Sequence, residues 1–251
     1  MPGSAPKLTR VDPEVLPPDP DFAARRGPAV AAARLTREAL RACFAQSAAW
    51  QSEQESDGGL FRPEQPLRPA AVLIGLVDRP AGLQVLFTVR AGHLHDHAGQ
   101  VSFPGGRVEA VDADPVAAAL RETQEEIGLD PRHVEVLGRL PVYTTISGYE
   151  VTPVVGCIDA QAALQADPLE VEELFEVPLS FVMDGANHQR RLIEQPGVRR
   201  TVYAMEYNGR RRYLIWGATA AMLRNFYRFV LASLPLAAGT GAAPAQPEAA
   251  S

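Results

Sequence analysis

The residues best suited to chemistry are Glu122, Glu125 and Glu126, three carboxylates within five positions of one another. At 100° per residue they fall within about 100° on a helix. Asp114 is a ready N-cap and Pro115 suits the first helical position, where a missing N–H costs nothing. Gly128 supplies a left-handed stop and Pro131 prevents continuation. Val116, Leu120, Thr123 and Ile127 lie roughly opposite the acids and are expected to form a dry packing stripe. Like charges at this spacing repel. Either the acids form a solvated face, or they meet a hard divalent cation, Mg²⁺ or Mn²⁺, which takes oxygen ligands. The glycine turn Phe103-Pro104-Gly105-Gly106, just upstream, would let backbone approach a ligand closely.

Taken together, these residues resemble the Nudix hydrolase box. Gly106 is followed by five residues, Asp112, eight residues and then Arg121-Glu122-x-x-Glu125-Glu126-x-Gly128-Leu129. The usual box has Glu at the first acid and seven residues in the gap. The Asp and the longer gap are similar to the coenzyme A pyrophosphatase branch, as is the upstream run Leu86-Phe87-Thr88-Val89-Arg90-Ala91 leading to Gly99 and the Phe103–Gly106 turn. That branch usually has Arg where this chain has His95, which touches on binding of the 3′-phosphate of coenzyme A. Arg90 has a guanidinium suited to bidentate phosphate contact. His95 can donate hydrogen bonds but is fully charged only when protonated.

The resemblance implies an α+β fold, a Nudix-type α/β/α sandwich with a mixed β-sheet. It implies metal-dependent hydrolysis of the diphosphate of coenzyme A or a derivative. Metal ligands would be Glu122, Glu125 and Glu126, with Mg²⁺ or Mn²⁺ as cofactor. Catalytic roles would fall to Glu125, Arg121 and Glu170, with Arg121 orienting the acids and Glu170 a distal acid. Substrate contacts would come from Arg90, His95, His97, Phe103, Gly105 and Gly106. Two alternatives stay open: a Nudix enzyme for another nucleoside diphosphate derivative such as ADP-ribose, and a non-enzymatic module that senses a nucleotide.

The other elements must position this stretch. Residues 1–35 hold seven prolines, from Pro2 to Pro28, and read as a weakly ordered arm. Residues 36–67 read as a helix from about Thr36 to Trp50 and a polar linker, residues 68–232 as the hydrolase domain, and residues 233–251 as an Ala/Pro-rich disordered tail. Within the domain, Ala71–Val77 and Leu83–Arg90 form an expected hairpin, His133–Leu140 and Tyr149–Ile158 expected strands. Asn208-Gly209 closes a second hairpin, and a helix runs from about Trp216 to Leu231. Asp167–Glu176 reads as an acidic segment, and Tyr149 as a core tyrosine.

Composition narrows the partners. A net charge of −6 argues against nonspecific nucleic-acid binding, and the partner expected is a small molecule. No run reaches the ~20 apolar residues that span a bilayer, and no apolar signal core opens the chain. Cys43 and Cys157 supply no disulfide framework, which suits a reducing cytoplasm. The oligomeric state is not legible in the sequence.

Overall fold

The computed structural model describes residues 12–46, 50–53, 66–93, 98–195 and 198–233. The polar linker at 54–65 and the tail at 234–251 lie outside the described residues.

An eight-stranded mixed sheet is built on β1 (Arg68–Arg79) and β7 (Tyr149–Ile158), which pair in parallel. Both strands show runs of consecutive buried residues rather than alternation, as strands covered on both faces do. β1 turns at residues 80–81 into β2 (Gly82–Arg90), the expected hairpin. Short β3 (Val101–Ser102) pairs with β2, while β4 (Gly105–Arg107) pairs with the opening residues of β1. After helix α2 (Pro115–Ile127), β5 (Val134–Arg139) and β6 (Tyr143–Thr144) pair with β7.

The stretch expected as a plain acidic segment is largely a strand. β8 (Val171–Pro178) pairs with β2, and its charges are neutralised by arginines from distant elements. Glu173 accepts from Arg211 at 2.6 Å and from the Tyr213 hydroxyl at 2.6 Å; Glu176 takes a fork of bonds from Arg79. Local charge hid a strand whose Val171, Phe175 and Val177 are core residues.

One apolar core fills the face of the sheet against α2, holding Ala71, Leu73, Leu86, Ala118, Ala119 and Ile127. The larger core lies on the opposite face. It is covered by α1 (Arg37–Ala45), α4 (Gly217–Ala232) and a three-stranded antiparallel sheet of β9 (Gln189–Gln195), β10 (Val198–Asn208) and β11 (Arg212–Trp216). A short helix, α3 (Leu179–Val182), links β8 to this layer. The Asn208-Gly209 hairpin therefore belongs to the second sheet, with β9 as an unforeseen third strand. Helices lie on both faces of a mixed sheet, the α+β layering expected.

Two expectations fail in the first 50 residues. Residues 12–35 are not a weakly ordered arm: they pack on β9 and α4. Leu192 N–H donates to the Pro17 carbonyl at 2.9 Å, Arg190 donates to the Asp19 carboxylate at 2.6 Å, and Phe22 is buried edge-on against Tyr203. Proline rules out regular helix and central strand, yet its fixed φ suits an extended strap along a sheet edge. Helix α1 starts at its Thr36 cap but ends at Ala45, short of Trp50. Leu40 and Phe44 do dock, Phe44 against Phe229 at 4.5 Å.

A buried ion pair ties the strap to α4. The Arg224 guanidinium, 1% exposed, bonds Glu53 and donates to the carbonyls of Arg25 and Arg26. Burial pushes the Glu53 carboxyl up, but hydrogen bonds from Arg224 and Tyr203 outweigh it and hold the pKa below the usual range. Arg224→Ala would leave two carbonyls without a donor and Glu53 with only Tyr203 and Arg228, and should cost about 3–5 kcal/mol in denaturant unfolding.

His188 makes this layer pH-sensitive. Its ring is fully buried beside Tyr227, with Nε2 2.8 Å from the Val182 carbonyl, and burial pushes its pKa down to about 4. Between pH 6.5, the ordinary value, and about 4, the unfolded chain takes up a proton that the folded one refuses. Stability should therefore fall as pH drops through that window, by on the order of 3 kcal/mol from this group. Urea titrations at pH 7 and 4.5 should show a smaller pH loss in His188→Phe than in the wild type.

Candidate active site

Helix α2 forms as its caps dictate. Asp114 accepts from Ala117 N–H at 2.9 Å, and Gly128 closes the helix at φ +67°. Its buried side differs from the expected stripe: Ala118, Ala119, Thr123 and Ile127 face the sheet, whereas Val116 and Leu120 are only half-buried. Two alanines let the helix lie close to β1. Glu126, at the border of that contact, is drawn in with them and is 6% exposed.

The glycine turn meets this helix directly. Gly105 N–H donates to Glu126 Oε2 at 3.1 Å. Gly105 sits at φ +146°, and a Cβ there would lie 2.4 Å from the Ala71 carbonyl, so only glycine fits. A Cβ on Gly106 would meet the Glu122 carboxyl carbon at 2.4 Å. Backbone and carboxylates are thus in contact along β4.

Arg121 gathers the acids. It forms a fork on Asp112, with Nε–Oδ1 at 2.9 Å and Nη2–Oδ2 at 3.0 Å. It also lies 3.0 Å from Glu122 and 3.0 Å from Glu125, and donates to the Arg107 carbonyl at 3.1 Å. The Arg121 hydrogen bonds hold the Asp112 carboxyl below the usual range. Asp112, which in the sequence served as a pointer to the branch and was given no site role, is Arg121's brace. A carboxylate nine residues before an arginine was the available signal; only folding back of the loop could give it that role.

Glu170 comes to the same place from the other end of the domain. Asp167 N–H donates to the Glu126 carbonyl at 2.8 Å and Gln165 N–H to that of Ile127 at 2.8 Å, tying the loop before β8 to the end of α2. Burial pushes the Glu126 pKa up to about 7; Glu170 and Glu122 push the same way, against the Gly105 hydrogen bond and the charge of Arg90. Burial also raises Glu122, with Glu125 and Glu170 adding to it and Arg121 opposing. Glu122, Glu126 and Glu170 thus act on one another electrostatically, and the charge of Arg90 acts on Glu126. The buried Nε of Arg90 has no hydrogen-bond partner among the described residues.

The remaining candidates divide. Glu125 is the most exposed of the helix acids and is engaged by Arg121. Phe103 is not placed to touch a substrate: it is 3% exposed and stacks on Phe87 at 5.2 Å, because the Phe87–Phe175–Tyr213 stack beneath it forms core. His95 and His97 lie outside the described residues.

Among the described residues no three His, Cys, Asp or Glu side chains already converge as a finished metal cage. The donor set nevertheless fits a hard divalent cation. It consists of carboxylate oxygens, two of them on raised-pKa groups whose mutual repulsion a cation would relieve.

The NUDIX domain family model matches residues 66–195, more than half of the chain. The chain belongs to the Nudix family. "Uncharacterized Nudix hydrolase NudL" of Shigella flexneri is 43% identical over 171 residues, covering 66% of this chain and 86% of that one. NudL of Salmonella paratyphi B is 44% identical over 158 residues, covering 62% and 80%. Among solved structures, the Nudix hydrolase RenU of M. smegmatis superposes with a TM-score of 0.42 at 22% identity, over 52% of this chain and 83% of that one. Among the described residues no helix is long and apolar enough to cross a membrane.

Proposed function

We propose that this Nudix protein hydrolyses the diphosphate bond of coenzyme A or a derivative, giving 4′-phosphopantetheine and adenosine 3′,5′-bisphosphate. The observation that carries the hydrolytic reading is the packing of Glu126 and Glu122 on the Gly105-Gly106 turn, with the charges of Glu170 and Arg90 in electrostatic reach. The substrate assignment draws on the upstream run from Leu86 to Gly106 and on the Asp112 form of the box.

Glu122 and Glu126 would hold Mg²⁺ or Mn²⁺, with Glu125 completing the set. Such a cation neutralises charge on the diphosphate and makes a nucleophile available near neutral pH. The chain's own residues do the rest. Arg90, whose positive charge already acts on Glu126, would offer its guanidinium to a phosphate oxygen in a charge-assisted bond. Arg121 keeps Glu122 and Glu125 in place against their mutual repulsion. Water oxygen bonds to phosphorus as the bridging P–O bond breaks; the leaving oxygen keeps the electron pair. Glu170 takes the water's proton. Its carboxylate is exposed and has no hydrogen bond or ion pair to a described residue, whereas Glu125 is already bonded to Arg121.

ADP-ribose is the second reading, favoured by His95 in place of the branch's usual Arg. Chromatographic separation of the nucleotide products, with Mg²⁺ or Mn²⁺ and coenzyme A, acyl-coenzyme A, ADP-ribose or a dinucleotide as substrate, separates them. Coenzyme A or its acyl form should be the best substrate. Preference for ADP-ribose would overturn the substrate assignment alone, and turnover of none would overturn hydrolysis.

A further inference from the structure

Two arginines and a tyrosine meet where β1, β4 and β7 begin or end. Strand register sets Arg68 opposite Tyr149 and Arg107 opposite Ala70. Ala70 and Tyr149 both pack on the larger core, so this group shares the sheet face away from α2. The Arg68 guanidinium carbon lies 3.9 Å from the Tyr149 ring centroid, and that of Arg107 lies 5.9 Å from the same centroid. Both arginines are exposed and the ring is half-buried.

Arg41, Arg79, Arg121, Arg190, Arg211 and Arg224 each have a carboxylate partner within 3.1 Å. Among the described residues, neither Arg68 nor Arg107 has one. Arg68 uses a single N–H on the Ser147 carbonyl, at 2.9 Å. In a chain of net charge −6, two guanidinium groups converge on one ring with no acid among the described residues to neutralise them. The Tyr149 face holds Arg68 by a cation–π contact. That leaves most of its planar donors, and all those of Arg107, for an external anion, and the fork geometry suits phosphate.

The group is joined to the acidic helix by backbone. Arg107 directly follows Gly106, against which Glu122 packs, and its carbonyl accepts from Arg121 at 3.1 Å. Among the described residues β4 pairs only with β1, so no strand there covers its other side.

We propose that Arg68, Tyr149 and Arg107 form a subsite for a phosphomonoester of the substrate, separate from the diphosphate that is cut. It rests on the coenzyme A reading, in which the 3′-phosphate is that group, and it assigns to these arginines a role the sequence left to His95.

The test is equilibrium binding of adenosine 3′,5′-bisphosphate and adenosine 5′-monophosphate to the full chain, to Arg68→Gln and to Arg107→Gln. The wild type should prefer the bisphosphate by about tenfold or more. Each substitution should lower that preference to within about threefold of parity. Equal binding of the two nucleotides by the wild type, or a preference untouched by both substitutions, would overturn the subsite. Turnover of coenzyme A by the same wild-type protein is measured alongside. Its absence would overturn the proposed reaction, while the binding ratio would still decide for or against the subsite.

Discussion

Glu126→Gln should lower kcat/KM by at least about a hundredfold while the melting temperature holds or rises. The amide is the same shape and still offers an oxygen to Gly105 N–H, so the contact between α2 and the glycine turn survives. What disappears is a buried negative charge. Glu122 and Glu170 both lose a like-charged neighbour, and burial no longer works against an ionised group at this position. Without a cation the site is therefore relieved by the change; with one it loses a ligand. Chromatographic measurement of adenosine 3′,5′-bisphosphate formation and a thermal melt, each with and without Mg²⁺, separate the two effects. Added Mg²⁺ should stabilise the wild type and have a much smaller effect on Glu126→Gln. Unchanged turnover would remove Glu126 from the metal set.

Arg121→Lys should cut turnover by about tenfold or more, despite keeping the charge, with KM moving less than kcat. One ammonium cannot form the fork on Asp112 while also holding Glu122, Glu125 and the Arg107 carbonyl. Arg121→Ala should do more harm and also lower the melting temperature, since Asp112 would lose the bonds that keep its pKa low. The loop keeps the reciprocal pair in which Glu109 N–H donates to the Asp112 carboxylate at 2.8 Å and Asp112 N–H to the Glu109 carbonyl at 3.1 Å. Equal kcat in wild type and Arg121→Lys would show that charge alone, and not its geometry, sets the acids.

The second sheet and the N-terminal strap show where local reading stops. Prolines between Pro13 and Pro28 disfavour a long α-helix, and from that a weakly ordered arm follows; the partner that orders them, β9, lies more than 150 residues away. β8 was obscured for the same reason. Its acids look solvated until Arg79 and Arg211 arrive from other elements.

From sequence alone came the capped acidic helix, the glycine turn before it, the β1–β2 hairpin, and the family to which these belong. Each is specified within a few neighbours: a cap by a side chain three residues away, a turn by φ, a helix face by a period of 3.6. The depth of each acid was beyond its reach. Glu122, Glu125 and Glu126 are equivalent on a helical wheel, but the tilt of α2 onto Ala118 and Ala119 buries Glu126 and leaves Glu125 in solvent. Likewise, nothing local joins Glu170 to Glu126 or lays Arg107 beside Tyr149. Those pairings depend on strand register and on loop closure between distant segments, which exist only once the sheet has formed.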